Sequence, residues 1–106
     1  MEIEFVKTYL LELYTTGKTS DKKHRYQPHI IYKYIQTIDK LRAARNIEDL
    51  FVIKSLNYKK LDGFKSGLES VRINDQFRIE FYTSLRSNNE QIITFCRILE
   101  LSNHYS

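Results

Sequence analysis

Apolar residues recur at two spacings along this 106-residue chain, and the change from one to the other divides it in two. Ile3 and Phe5 alternate with Glu2 and Glu4 and predict a short strand. Phe5, Val6, Tyr9, Leu10, Leu13 and Tyr14 then repeat at helical spacing, which predicts an amphipathic helix of about three turns. Gly17 ends it, because glycine adopts the left-handed conformation just past a helix at little cost. Residues 18–27 are polar and read as a connecting loop. Pro28 suits the first turn of a second helix. There Ile30, Ile31, Tyr34, Ile35, Ile38 and Leu41 form one apolar stripe, with Lys33, Gln36, Asp39 and Lys40 outside it. Asn46 is placed to cap a short turn over residues 47–51.

After residue 67 the period becomes two. Val71 and Ile73 alternate with Ser70, Arg72 and Asn74; Phe77, Ile79 and Phe81 alternate with Arg78, Glu80 and Tyr82. Asn74-Asp75-Gln76 between them is a turn sequence. Residues 85–91 predict a second turn, and residues 92–101 a third strand. Helices followed by a meander give an α+β fold: N-terminal helices packed on one face of an antiparallel sheet formed mainly by the C-terminal half.

Alternation also sets the hairpin register. If Val71, Ile73, Phe77 and Ile79 share a buried face, the loop is residues 74–76 and Arg72 stands opposite Arg78. Directly opposed like charges destabilise a sheet. Two readings fit such a pair: exposed arginines each beside an acidic neighbour such as Glu80 or Glu69, or a site where an anion binds between them.

Composition narrows the class. The length predicts one domain over residues 1–106. The single cysteine, Cys96, excludes an intrachain disulfide and a cysteine-only zinc site, and His24 and His29 lie at no metal-ligand spacing. The apolar runs are too short to span a membrane, and the Met1–Glu4 start does not resemble a signal peptide, so a cytoplasmic location is expected. The net charge of +4 is unevenly spread. Residues 18–45 carry eight basic residues, including Lys18, Lys22, Lys23, Arg25, Lys33 and Lys40, against Asp21 and Asp39, while residues 46–106 sum to zero. A localised basic stretch suits nucleic acid, and it equally suits a solvated lysine-rich face.

The stretch Lys60-Leu61-Asp62-Gly63-Phe64-Lys65-Ser66-Gly67-Leu68-Glu69-Ser70-Val71-Arg72-Ile73-Asn74-Asp75-Gln76-Phe77-Arg78-Ile79-Glu80-Phe81 resembles the centre of the HigB toxins in the RelE/ParE superfamily of toxin–antitoxin systems. The likeness lies in the lysine-leucine-x-glycine turn, the strand ending in arginine, the Asn-Asp turn and the aromatic-arginine strand. The tail Leu101-Ser102-Asn103-His104-Tyr105 fits as well. The resemblance implies a RelE-like fold, no metal, ribosome-dependent cleavage of mRNA in the A site, and a helix-turn-helix HigA-like antitoxin partner. Its chemistry is attack of the RNA 2′-hydroxyl on the adjacent phosphate, leaving a cyclic phosphate and a 5′-hydroxyl.

That reaction needs a base, an acid, and cations for the phosphorane-like transition state. Arg72 and Arg78 suit bidentate contact with phosphate, and Lys59 and Lys60 suit point-charge contact with the same group. His104 suits proton transfer, as base or as acid, since an unperturbed histidine titrates near about 6.5. Tyr105 suits stacking on a base or placing a hydroxyl on the phosphate; Asn103 can only hydrogen-bond, and Tyr58 suits stacking on RNA or packing half-buried in a loop. Where the family often ends in Asp-Tyr-His, this chain reads Asn-His-Tyr, nearer the His-Tyr ending of the YoeB relatives. The superfamily leaves two other readings: a ParE-like module that poisons DNA gyrase without cutting RNA, and a degenerate member kept only as an antitoxin partner.

Overall fold

In the computed structural model, which describes residues 1–103, the amino-terminal strand β1 (Glu2–Phe5) runs parallel to the last strand, β5 (Gln91–Asn103). Between them lie α1 (Thr8–Thr16), α2 (Pro28–Ala43), α3 (Glu48–Phe51), β2 (Lys59–Lys60), β3 (Glu69–Arg72) and β4 (Phe77–Asn88), with 3-10 turns over Lys54–Leu56 and Gly63–Lys65. The sheet order is β1-β5-β4-β3-β2, and every pairing except β1–β5 is antiparallel. The α+β fold is as expected, but the sheet is mixed. A strand at the N-terminus closes the far edge by pairing with residues more than ninety positions away.

The helices follow the apolar stripe. α1 begins later than its spacing suggests, because Phe5 is taken into β1, and Gly17 stops it at φ 73° with its N–H donating to the Leu13 carbonyl at 3.1 Å. α2 has Pro28 in its first turn and buries Ile30, Tyr34, Ile38 and Leu41. Tyr34 is fully buried, and its hydroxyl donates to the Leu10 carbonyl at 2.8 Å, locking α2 to α1. Burial pushes that phenol far above its ordinary range, so it remains the neutral donor. The Asn46 side chain accepts the Asp49 N–H at 3.2 Å at the start of α3.

These helices cover the sheet face that carries Val71, Ile79, Phe81, Cys96, Ile98 and Leu101, each at most 3% exposed. In water-transfer terms each such side chain stabilises the fold by about 1.5–3 kcal/mol. Ile98 and Leu101 differ in parity. The register shift from Glu80↔Glu100 to Phe81↔Ile98 inserts one extra residue, Leu99, into β5, and this bulge lets both face the helices. The turn expected over residues 85–91 is shorter: residues 85–88 continue β4, Gln91 opens β5, and only Asn89 (φ 51°) and Glu90 turn the chain. The polar stretch there is paired strand. Arg86 lies 3.9 Å from the Phe95 ring centroid and reaches Glu4 of β1 at 3.0 Å.

Candidate functional site

The hairpin turn is set by one side chain. The Asn74 carboxamide oxygen accepts the N–H groups of Gln76 (2.9 Å) and Phe77 (2.7 Å), and the Ile73 N–H donates to the Phe77 carbonyl at 3.0 Å. That closure fixes Val71 opposite Ile79 and Arg72 opposite Arg78, the register that alternation required. Both arginines therefore leave the sheet on the face away from the helices.

There they border a cleft of about 210 Å³, lined also by Asn57, Lys59, Ser70 and Phe77. Lys59 enters because β2 pairs with β3 in the register Lys59↔Ser70. Lys60, one residue on, does not line this cleft; alternation turns it to the other side, opposite Glu69. The two lysines therefore do not share one phosphate as a pair.

Each arginine is held by a carboxylate. Arg72 pairs with Asp75 in the turn, both well exposed. The Nε of Arg78 lies 3.7 Å from the Glu80 carboxylate and has no hydrogen-bond partner among the described residues. Glu80 is 1% exposed, and its Oε2 accepts a 2.6 Å bond from Nζ of Lys65. Lys65 is thus committed to Glu80, whereas Lys59 has no acidic partner among the described residues. The cleft keeps a positive excess, with one guanidinium on each strand, and can take a small dianionic group between them.

Glu80, named above as an acidic neighbour for the arginines, does lie beside Arg78, two positions along the same strand face. Two further contributors, Lys65 and Asn57, were not singled out from sequence: one meets Glu80 across fifteen residues, and the other sits at a left-handed bend (φ 44°). Glu69, offered above as an acidic neighbour for the arginines, lies on the opposite face, where Tyr58 and Thr83 donate to its carboxylate. Tyr58 is accordingly a half-buried structural side chain whose phenol is raised by burial and by Glu69, and it does not line the arginine cleft.

The far end of β5 arrives at the same place. Asn103 is paired with Phe77, which lines the cleft. His104 and Tyr105 lie outside the described residues. The basic loop is tied to this end too: Tyr26 donates to the Leu101 carbonyl at 2.9 Å and meets Phe77 edge-on at 5.6 Å. His24 stacks on Tyr9 at 3.6 Å, and the Tyr9 hydroxyl accepts the Leu101 N–H. Lys18, Lys22, Lys23 and Arg25 on the loop, and Lys33 and Lys40 on the outer face of α2, are all exposed.

Comparison with known proteins bears on this geometry. The family model of the RelE-like HigB toxin of type II toxin–antitoxin systems matches residues 3–96. The chain belongs to this family. The matched span of this HigB-like toxin contains Lys59, Lys60, Arg72 and Arg78 and stops short of Asn103. No curated relative matches by sequence. Among solved structures, a YoeB/ParE toxin from Agrobacterium tumefaciens is similar at 14% identity and a TM-score of 0.58, covering 99% of this chain and 100% of that one. That likeness is one of fold. The HigB match does not favour the gyrase-poisoning reading, and membership in a type II system implies an antitoxin partner. No helix among the described residues is long and apolar enough to cross a membrane.

Proposed function

We propose that this HigB-like toxin is a metal-independent endoribonuclease that inhibits translation by cutting mRNA in the ribosomal A site. The observation that carries the reading is Arg72 opposite Arg78 across β3–β4, with Lys59 on the same cleft. A base takes the proton of a ribose 2′-hydroxyl, the oxygen attacks the adjacent phosphorus, and the 5′-oxygen leaves with a proton from an acid. The products are a 2′,3′-cyclic phosphate and a free 5′-hydroxyl. Arg72 and Arg78 bind the non-bridging oxygens and stabilise charge as it builds on them, and Lys59 adds a third cation. His104 performs one of the two proton transfers, with Tyr105 and Asn103 orienting the nucleotide. The exposed basic residues from Lys18 to Lys40 hold ribosomal RNA. The protein works in the cytoplasm, and its antitoxin is a HigA-like helix-turn-helix protein.

The test is cleavage of ribosome-bound mRNA mapped by primer extension, with and without EDTA, beside the same RNA free of ribosomes. Loss of one transition-state donor costs about 10²–10³ in rate, so Arg78→Ala should fall by that factor and His104→Ala should abolish the cuts. Wild-type cutting by either variant would remove that residue from the chemistry. Growth arrest without cuts would replace the nuclease reading with a binding toxin.

A further inference from the structure

On the outer side of β2 a groove of about 570 Å³ shares Asn57 and Lys59 with the arginine cleft and is lined further by Phe51, Lys54, Tyr58 and Lys60. Resting on the reading of that cleft as an RNA-cleaving site, we propose that this groove holds the neighbouring nucleotide of single-stranded RNA, its base against Phe51 and its backbone along Lys54 and Lys60.

Phe51 is 56% exposed although it belongs to a helix whose next-door Leu50 is fully buried. Its ring is not loose: it rests 5.1 Å from Tyr58 at 44°, and Tyr58 is held by its bond to Glu69. The Phe51 ring is therefore braced at a tilt by a fixed aromatic while more than half of the residue stays open to solvent, and an open ring face is a platform every base can use. Lys54, Lys59 and Lys60 are exposed and have no acidic partner among the described residues. The cleft on the other side of Phe51 carries Glu48, Asp62 and Glu69 around Lys60, so charge directs a polyanion to the lysine side. The volume is within the range of small-ligand sites, about 300–1,000 Å³. Continuity through Lys59 lets one strand occupy cleft and groove together.

The experiment is fluorescence anisotropy of a labelled single-stranded RNA hexamer with wild type, Phe51→Ala, Phe51→Trp, Lys54→Ala/Lys60→Ala and Arg78→Ala, each checked by thermal melting. Phe51→Ala should weaken binding by about fivefold or more, Phe51→Trp should restore it, and an abasic RNA series should contain a position at which the Phe51→Ala deficit vanishes. The double lysine variant should flatten the dependence of log affinity on log salt by about 1.4, at roughly 0.7 per phosphate contact on a single strand. If Arg78→Ala weakens binding while the groove variants bind as wild type, the groove assignment is overturned and the cleft reading stands. If the groove variants lose affinity for the antitoxin and keep it for RNA, the groove is a protein interface and the proposal is overturned. Wild type that binds no RNA also overturns it, and ribosome-programmed cleavage then decides separately whether the nuclease reading survives.

Discussion

Replacing Lys65 by methionine isolates the support beneath the arginine cleft. Glu80 is 1% exposed, and its Oε2 has a 2.6 Å bond to Lys65 and a 3.7 Å approach from Nε of Arg78. A hydrogen bond to a charged group contributes about 1.5–3 kcal/mol, and stripping the partner from a buried charge costs about 3–5 kcal/mol. The Lys65 side chain is 44% exposed, so water screens the pair and can reach the carboxylate in its absence, and Arg78 remains beside it. The low end is therefore expected, about 2 kcal/mol, which is roughly 10 °C in melting temperature for a domain of this size. Urea denaturation of wild type, Lys65→Met, Glu80→Gln and the double variant gives the coupling between the two side chains, expected at about 1 kcal/mol or more. The variant should also bind phosphate-bearing ligands more weakly, because the uncompensated carboxylate draws the Arg78 guanidinium to itself. A cost for Lys65→Met below about 0.5 kcal/mol, with no coupling, would refute the view that this pair organises the cleft.

Two further outcomes follow from buried and anchored groups. Cys96 is fully buried and its thiol is pushed up to about 12, chiefly by desolvation. A thiol reagent at pH 8 should label it only on unfolding, and its contribution to stability should be complete below the ordinary value of 9.0 and be lost as pH rises to about 12; labelling of native protein within seconds would contradict this. The Asp21 carboxylate is held below its ordinary value of 3.8, first by the His24 side chain and then by the Lys23 N–H. Because the folded value is depressed, the anchor it provides persists above 3.8 and fails as pH drops through the lower folded value, read as loss of the ring-current shifts of His24 on Tyr9; failure already near pH 5 would show that Asp21 does not hold the loop.

Local rules were enough wherever a residue's partner lay nearby in the chain. Pro28, the stripe from Ile30 to Leu41 and the glycine at residue 17 specify two helices because start signal, period and stop agree within one segment. The opposed arginines were legible for the same reason: alternation on both sides of Asn74-Asp75-Gln76 permits one register, and Arg72 and Arg78 follow from it. Tertiary structure decided everything whose stabilising partner is distant. β4 runs on through Arg86 because Phe95 and Glu4 receive that side chain, so a polar stretch that reads as a turn pairs as a strand. β1 finds β5, a bulge at Leu99 turns Leu101 inward, Lys65 crosses fifteen residues to Glu80, and two-residue β2 sends Lys59 to the cleft and Lys60 away from it. The sequence alone determined the two helices and the hairpin register that opposes Arg72 and Arg78; which other charged residues join or support that pair was decided by pairing between distant segments, whose free energy no single segment contains.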